Sequence, residues 1–155
     1  MTEHTLKESS QEVITSPMLS WWLDLQKRPG ERARLRRCHT PVEVAFEPSY
    51  HRLVSMLGGP GRVNLEKAAV VAGVLAHVKE HDPSIPFAVH MARAPEGMDK
   101  ARVSGLRFRR LIQVPDSPGL YEPAIRIVAL LGGRINVNDL GKSILWWNEK
   151  TKKTW

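Results

Sequence analysis

Apolar residues recur at helical spacing through most of the chain, and no sustained apolar–polar alternation replaces them anywhere. Ser16-Pro17 supplies an N-cap followed by a proline at the first helical position. Met18, Trp22 and Leu25 follow at i, i+4 and i+7 and predict a short helix ending near Pro29-Gly30. Glu31–Cys38 reads as a second, arginine-rich helix with Ala33 and Leu35 as its apolar residues. Thr40-Pro41-Val42-Glu43 is a capping box, so another helical turn starts there. Tyr50, Leu53, Val54 and Leu57 form a stripe closed by Gly58-Gly59. Asn64 caps the longest predicted helix, which runs to about His81. Its centre is apolar all round, the mark of a helix buried among others.

Pro86–Ala94 is a shorter helical segment, and Pro95–Asp99 reads as a linker. Three further helices fit the remainder: Ser104–Val114, about Gly119–Leu131 and about Asn138–Lys150. Pro123 is expected to kink the middle one or delay its start, and Gly132-Gly133 to stop it. The pattern thus predicts an all-α fold, a compact helical bundle of about eight helices in two adjoining lobes. Residues 1–15 read as a flexible tail, 16–94 as an N-terminal helical lobe and 101–155 as a basic C-terminal helical lobe, together one compact unit.

At 155 residues the chain hides roughly 68–70% of its unfolded surface, so a core forms without disulfides or metals. With Cys38 as the single cysteine, an intramolecular disulfide is excluded, as suits a reducing compartment. The longest apolar run, Ala68–Ala76, spans nine residues, well short of the ~20 that cross a bilayer. Residues 1–16 carry Glu3, Glu8 and Glu12 and show no secretory pattern, so the expectation is a soluble, cytoplasmic protein. Charge changes the picture more. The 23 Lys and Arg exceed the 16 Asp and Glu by seven, and residues 100–155 hold 11 basic against 4 acidic side chains. The first 99 residues are balanced, apart from the run Lys27–Arg37. Such segregation points to a polyanionic partner or to a merely solvated face, and composition alone weighs the two about evenly.

Helical geometry assigns these charges to faces. In Ser104–Val114, Phe108, Leu111 and Ile112 point inward, which turns Arg109, Arg110 and Gln113 outward with Arg107 at the edge. In the next helix Leu120, Ala124, Val128 and Leu131 form the apolar face opposite Arg126. In the last, Leu140, Ile144 and Trp147 point inward, while Lys142, Trp146 and Lys150 point out. Guanidinium groups grip phosphate oxygens bidentately, and an exposed indole stacks on an unpaired base. These faces suit a nucleic-acid backbone. Trp146 alternatively packs on Trp21 or Trp22, or against another subunit.

Three constellations resemble catalytic sites. His77-Val-Lys-Glu80-His81 has the spacing of a helical zinc motif, but no third ligand is marked, with Glu122 and His90 the nearest suggestions. Its position before Asp82-Pro83 suits a helix C-terminus, so no metal is expected. Gly58-Gly-Pro-Gly61 lacks the Lys-Ser/Thr of a phosphate loop and reads as a turn. Cys38, between Arg36, Arg37 and His39, has neighbours that would lower a thiol pKa but no paired base. No catalytic set and no cofactor is expected; the reading is a binding module, not an enzyme.

Read together, Trp21-Trp22, Arg34-Leu-Arg-Arg37 with Thr40-Pro41, Tyr50-His-Arg-Leu53, Ser104-Gly-Leu-Arg-Phe-Arg-Arg-Leu-Ile112, Gly132-Gly-Arg-Ile-Asn-Val137 and Leu145-Trp-Trp147 resemble the CasB family. Its members are the small subunit of the type I-E CRISPR surveillance complex, Cascade. The resemblance implies a non-catalytic helical subunit, present in two copies, that meets guide RNA (crRNA), target and non-target DNA and other Cascade subunits. It also implies a part in holding the displaced non-target strand of the R-loop in antiviral defence. The family's nucleic-acid-contacting arginines fall on Arg37, Arg107 and Arg126, with Arg36, Arg109, Arg110 and Lys142 as supporting charges. A family lysine has its nearest counterpart in Lys150, although Glu149 stands about where it is expected, and a family arginine aligns with Gln113, which implies either one fewer charged phosphate contact or a contact taken over by Arg109 or Arg110. The alternative is a protein–protein scaffold whose basic faces bind acidic partner subunits.

Overall fold

The structure, a computed structural model, describes residues 16–155, so the tail read over 1–15 lies outside the described residues. Helix α1 (Pro17–Gln26) starts at its proline and buries Met18, Trp21, Trp22 and Leu25. The Trp21 indole N–H donates to the Ser49 carbonyl at 2.8 Å, and that of Trp22 to the Val78 carbonyl at 3.3 Å. Pro29 and Gly30, read as the end of this helix, begin α2 (Pro29–Arg37), because proline is as good a first residue as a terminator. A single residue of α2, Leu35, is fully buried, and Arg34, Arg36 and Arg37 project. Two short helices follow, α3 (Pro41–Val44) and α4 (Pro48–Met56). The capping box is displaced by one residue: Thr40 accepts from the Glu43 amide, while the Glu43 carboxylate accepts from His39 rather than Thr40. Gly58 and Gly59, at φ 111° and 90°, turn the chain as the glycine-rich stretch predicts.

Helix α5 (Leu65–Leu75) is the central element. Asn64 caps it by accepting from the Lys67 amide at 3.0 Å, and Ala68 through Leu75 are all buried. It packs against α3, α4 and, from the second half of the chain, α8 and α9. It stops six residues before His81, where the sequence pattern extends it. The reason is competition from afar: the Ala76 and Val78 carbonyls are taken by Arg32 at 3.1 and 3.2 Å. The Lys79 and Glu80 amides go to the Gly133 carbonyl at 2.8 and 3.1 Å. Glu80–His81 becomes strand β1, parallel to β2 (Arg134–Ile135), with Glu80 opposite Arg134 and His81 opposite Ile135. Two-residue strands are too short to leave an alternating pattern.

Helix α6 (Phe87–Ala92) is followed by an irregular stretch to α7 (Gly105–Ile112), capped by Ser104. The start of the next helix is delayed, as Pro123 predicts. A 3₁₀ turn at Pro118–Leu120 leads into α8 (Tyr121–Leu130), with the proline in its first turn. The last predicted helix is two. Asn136, not Asn138, caps α9 (Val137–Leu145), and Asn148 caps α10 (Glu149–Thr154). The break lets Trp147 turn inward, donate to the Val114 carbonyl at 2.8 Å and pack edge-on against Trp155. The described residues therefore hold ten α-helices, and one apolar cluster draws on α1 through α9. No helix among the described residues is long and apolar enough to cross a membrane.

Candidate nucleic-acid interface

Helix α7 is anchored by few residues. Leu111 is buried and Phe108 half-buried against the core; Ile112, expected to point inward beside them, is not fully buried. Arg107, Arg109 and Arg110 are left exposed. Helix α8 buries Leu120, Ala124, Val128 and Leu131 as its pattern predicts, which turns Arg126 outward. Between the two helices lies a hollow of about 420 Å³ lined by Arg107, Arg110 and Arg126 over Leu111 and Ile127. On the other side of α8 a second hollow of about 380 Å³ brings Arg36 of α2 together with Arg126, His39, His77 and Tyr121. Arg126 lines both. Four predicted arginines from three helices thus lie along one strip.

The strip is held from below by the Tyr121 hydroxyl, which donates to the Cys38 carbonyl at 2.6 Å and joins α8 to the end of α2. Burial pushes its pKa up, so the phenol stays a donor. Arg126 pairs with Glu122 one turn earlier, but both side chains are about two-thirds exposed, 66% and 71%. Such pairs are worth little and yield readily to a competing phosphate. Arg36, Arg107 and Arg110 make no ion pair among the described residues.

The other predicted residues fall elsewhere. Arg37 and Arg109 are exposed but line neither hollow, and Lys142 and Lys150 lie exposed on α9 and α10. Gln113 sits in a separate hollow with Glu149, Lys152 and Lys153. Lys152 there pairs with Glu149 at 3.3 Å and lies over the Trp147 ring. Sequence reading missed Lys152 and Lys153, although their place in the basic C-terminal run was a usable signal. It also missed Tyr121 and His77 in the second hollow, which only the α5–α8 packing brings there. Trp146 is 59% exposed and so is not buried on Trp21 or Trp22.

The helical placement of the histidine motif and the direction of the Cys38 shift differ from the sequence pattern. The spacing of His77, Glu80 and His81 does not fall on a helix, since Glu80–His81 is a strand. His81 Nδ1 accepts from the Val137 amide at 3.1 Å, which occupies a ligating nitrogen. No cluster of three metal-ligating side chains occurs among the described residues. Cys38 is not activated: burial and the carboxylates of Glu47 and Glu43 push its thiol pKa up. Its thiol also points back to the Arg34 carbonyl at 3.3 Å.

Neither curated proteins nor solved structures give a match to this chain. The family model described as CRISPR-associated protein Cse2 matches residues 31–155, a stretch holding every arginine of the strip. The chain belongs to that family, the CasB-type subunits of the type I-E CRISPR complex Cascade.

Proposed function

We propose that this subunit grips nucleic-acid backbone inside Cascade and has no catalytic activity of its own. Arg36, Arg107, Arg110 and Arg126 neutralise phosphates of guide RNA or of the displaced non-target strand, and Arg37, Arg109, Lys142 and Lys150 add to the field around them. Base pairing reads the sequence, and the subunit lowers the free energy of the open R-loop. Two copies of the chain work side by side, in the cytoplasm and without a cofactor. One observation carries the reading: Arg126 lines two adjoining hollows that together join arginines of α2, α7 and α8. A scaffold reading draws support from Trp146, since exposed tryptophan is enriched where proteins meet.

The test is a titration of fluorescent single-stranded DNA over a salt series with the full chain, Arg107→Glu and Arg126→Glu. The expected result is sequence-independent binding whose log–log salt slope falls by roughly 0.7 for each lost phosphate contact. Binding that is salt-independent, or unchanged from the parent chain in both variants, would refute the grip. The same series in the assembled complex then separates a grip formed only there from a pure scaffold.

A further inference from the structure

A third hollow, of about 240 Å³, opens where α6, the stretch before α7, the end of α8 and β2 meet. Its polar lining is His90, Arg93, Arg102, Arg134 and Glu96. One of the arginines, Arg134, is held in place. Arg134 donates through Nε to Asp82 at 3.0 Å, and Asp82 is itself buried and held by Ser84, so the terminal nitrogens of Arg134 are left without a partner among the described residues. Arg102 lies against the Gly132 turn, where a Cβ would stand 3.4 Å from its terminal nitrogen. Arg93 and Arg102 make no ion pair among the described residues.

We propose that this hollow is a second backbone site, in which Arg93, Arg102 and the terminal nitrogens of Arg134 hold a phosphodiester of a nucleic-acid strand. It rests on the reading of the chain as a backbone-gripping subunit but uses none of the residues of that grip. Size and lining select the ligand. The volume lies below the ~300–1,000 Å³ of pockets that enclose a small molecule, so a single group enters from an extended partner. Imidazole is the only aromatic ring of the lining, which gives a base little to stack on. Guanidiniums arriving from three elements suit a phosphodiester, whose two charged and two ester oxygens spread tetrahedrally, better than a planar carboxylate, which one fork satisfies. Position supplies the strand. The first grip meets α8 at Ile127 and this hollow meets it at Leu131, one turn or about 6 Å on. Arg102 and Ser104, two residues apart, line the two hollows in turn. One strand running along α8 reaches both.

His90 reports occupancy. Burial and the charges of Arg93, Arg102 and Arg134 hold its pKa below the ordinary value, with Asp82 opposing them and Glu96 also in the lining. A phosphate seated among the arginines offsets their charge and raises the His90 titration midpoint by roughly one pH unit. The experiment follows the His90 ring and the Arg126 side chain by NMR in the labelled full chain, with saturating oligo(dT). The midpoint is expected to rise, and the rise to vanish in Arg93→Ala/Arg102→Ala while Arg126 still responds. An unmoved His90 overturns the site: with Arg126 responding, the first grip stands alone, and with neither responding both readings fall. An equal rise with inorganic phosphate or poly-glutamate at matched concentration overturns the assignment to a strand.

Discussion

Gly73→Ala places a methyl group in the middle of α5, where alanine is the better helix former by about 1 kcal/mol. Packing reverses the sign. A Cβ at Gly73 would lie within contact of the Tyr121 ring and 2.8 Å from its hydroxyl oxygen, closer than real Cβ atoms approach. Both residues are buried, so the ring must shift rather than swing into solvent. Overpacking of this kind costs about 1–3 kcal/mol. Loss of the hydroxyl's bond to Cys38 adds about 1–3 kcal/mol if the displaced group finds no partner. Against the helical gain, the net expectation is destabilisation by about 3 kcal/mol. With a urea slope of about 1.5 kcal/mol/M, the unfolding midpoint falls by about 2 M. Tyr121→Phe keeps the ring and should lose only the hydrogen-bond share. In a Tyr121→Ala background, Gly73→Ala should become neutral or stabilising, the coupling expected of touching residues. Gly73→Ala as stable as the parent chain with Tyr121 in place would refute the packing argument.

The remaining predictions concern separate parts of the molecule. Leu111→Ala should cost about 2–4 kcal/mol in urea unfolding, and Phe108→Ala less than its ring size suggests, because Phe108 is half-exposed. Asn136→Ala should cost about 1 kcal/mol, since it removes the cap that accepts from the Asp139 amide at 3.1 Å. His77, His81 and His90 all have pKa values pushed below 6.5, chiefly by burial, so the unfolded chain binds more protons in mild acid. Stability should therefore be full above pH ~6.5 and fall as the pH drops toward the folded-state values, read as urea midpoints at pH 7.5 and 5.5; equal midpoints would contradict it. Cys38 should be alkylated by iodoacetamide only slowly, with a rate midpoint above that of an ordinary thiol.

Local signals read well wherever one face of one helix decides the outcome. The stripe from Tyr50 to Leu57, the Asn64 cap, the Gly58-Gly59 turn and the α8 face from Leu120 to Leu131 all stand where periodicity puts them. What the pattern misses is settled by partners far along the chain. Residues 77–81 leave the helix because Arg32, Trp22 and Gly133 take their hydrogen bonds. Trp146 breaks the last helix because Trp147 is worth more buried against Val114 and Trp155. The interface divides in the same way. Outward arginines are legible from phase within one helix. Which of them become neighbours depends on how α2, α7 and α8 pack, so Arg36, Arg107, Arg110 and Arg126 come together while Arg37 and Arg109 do not.

The smallest element of the fold has a kinetic consequence. The β1–β2 pairing and the Asp82–Arg134 contact close a loop across 52 residues of chain. Closing a loop of that length costs on the order of 3–4 kcal/mol of chain entropy, which a few hydrogen bonds of about 1 kcal/mol each do not outweigh on their own. The pairing cannot nucleate folding. It forms after α5, α8 and α9 have already brought its two sides together. Amide exchange at Lys79, Glu80 and Asp82, whose N–H groups bond to Gly133 and Ile135, therefore times the last docking step of the fold.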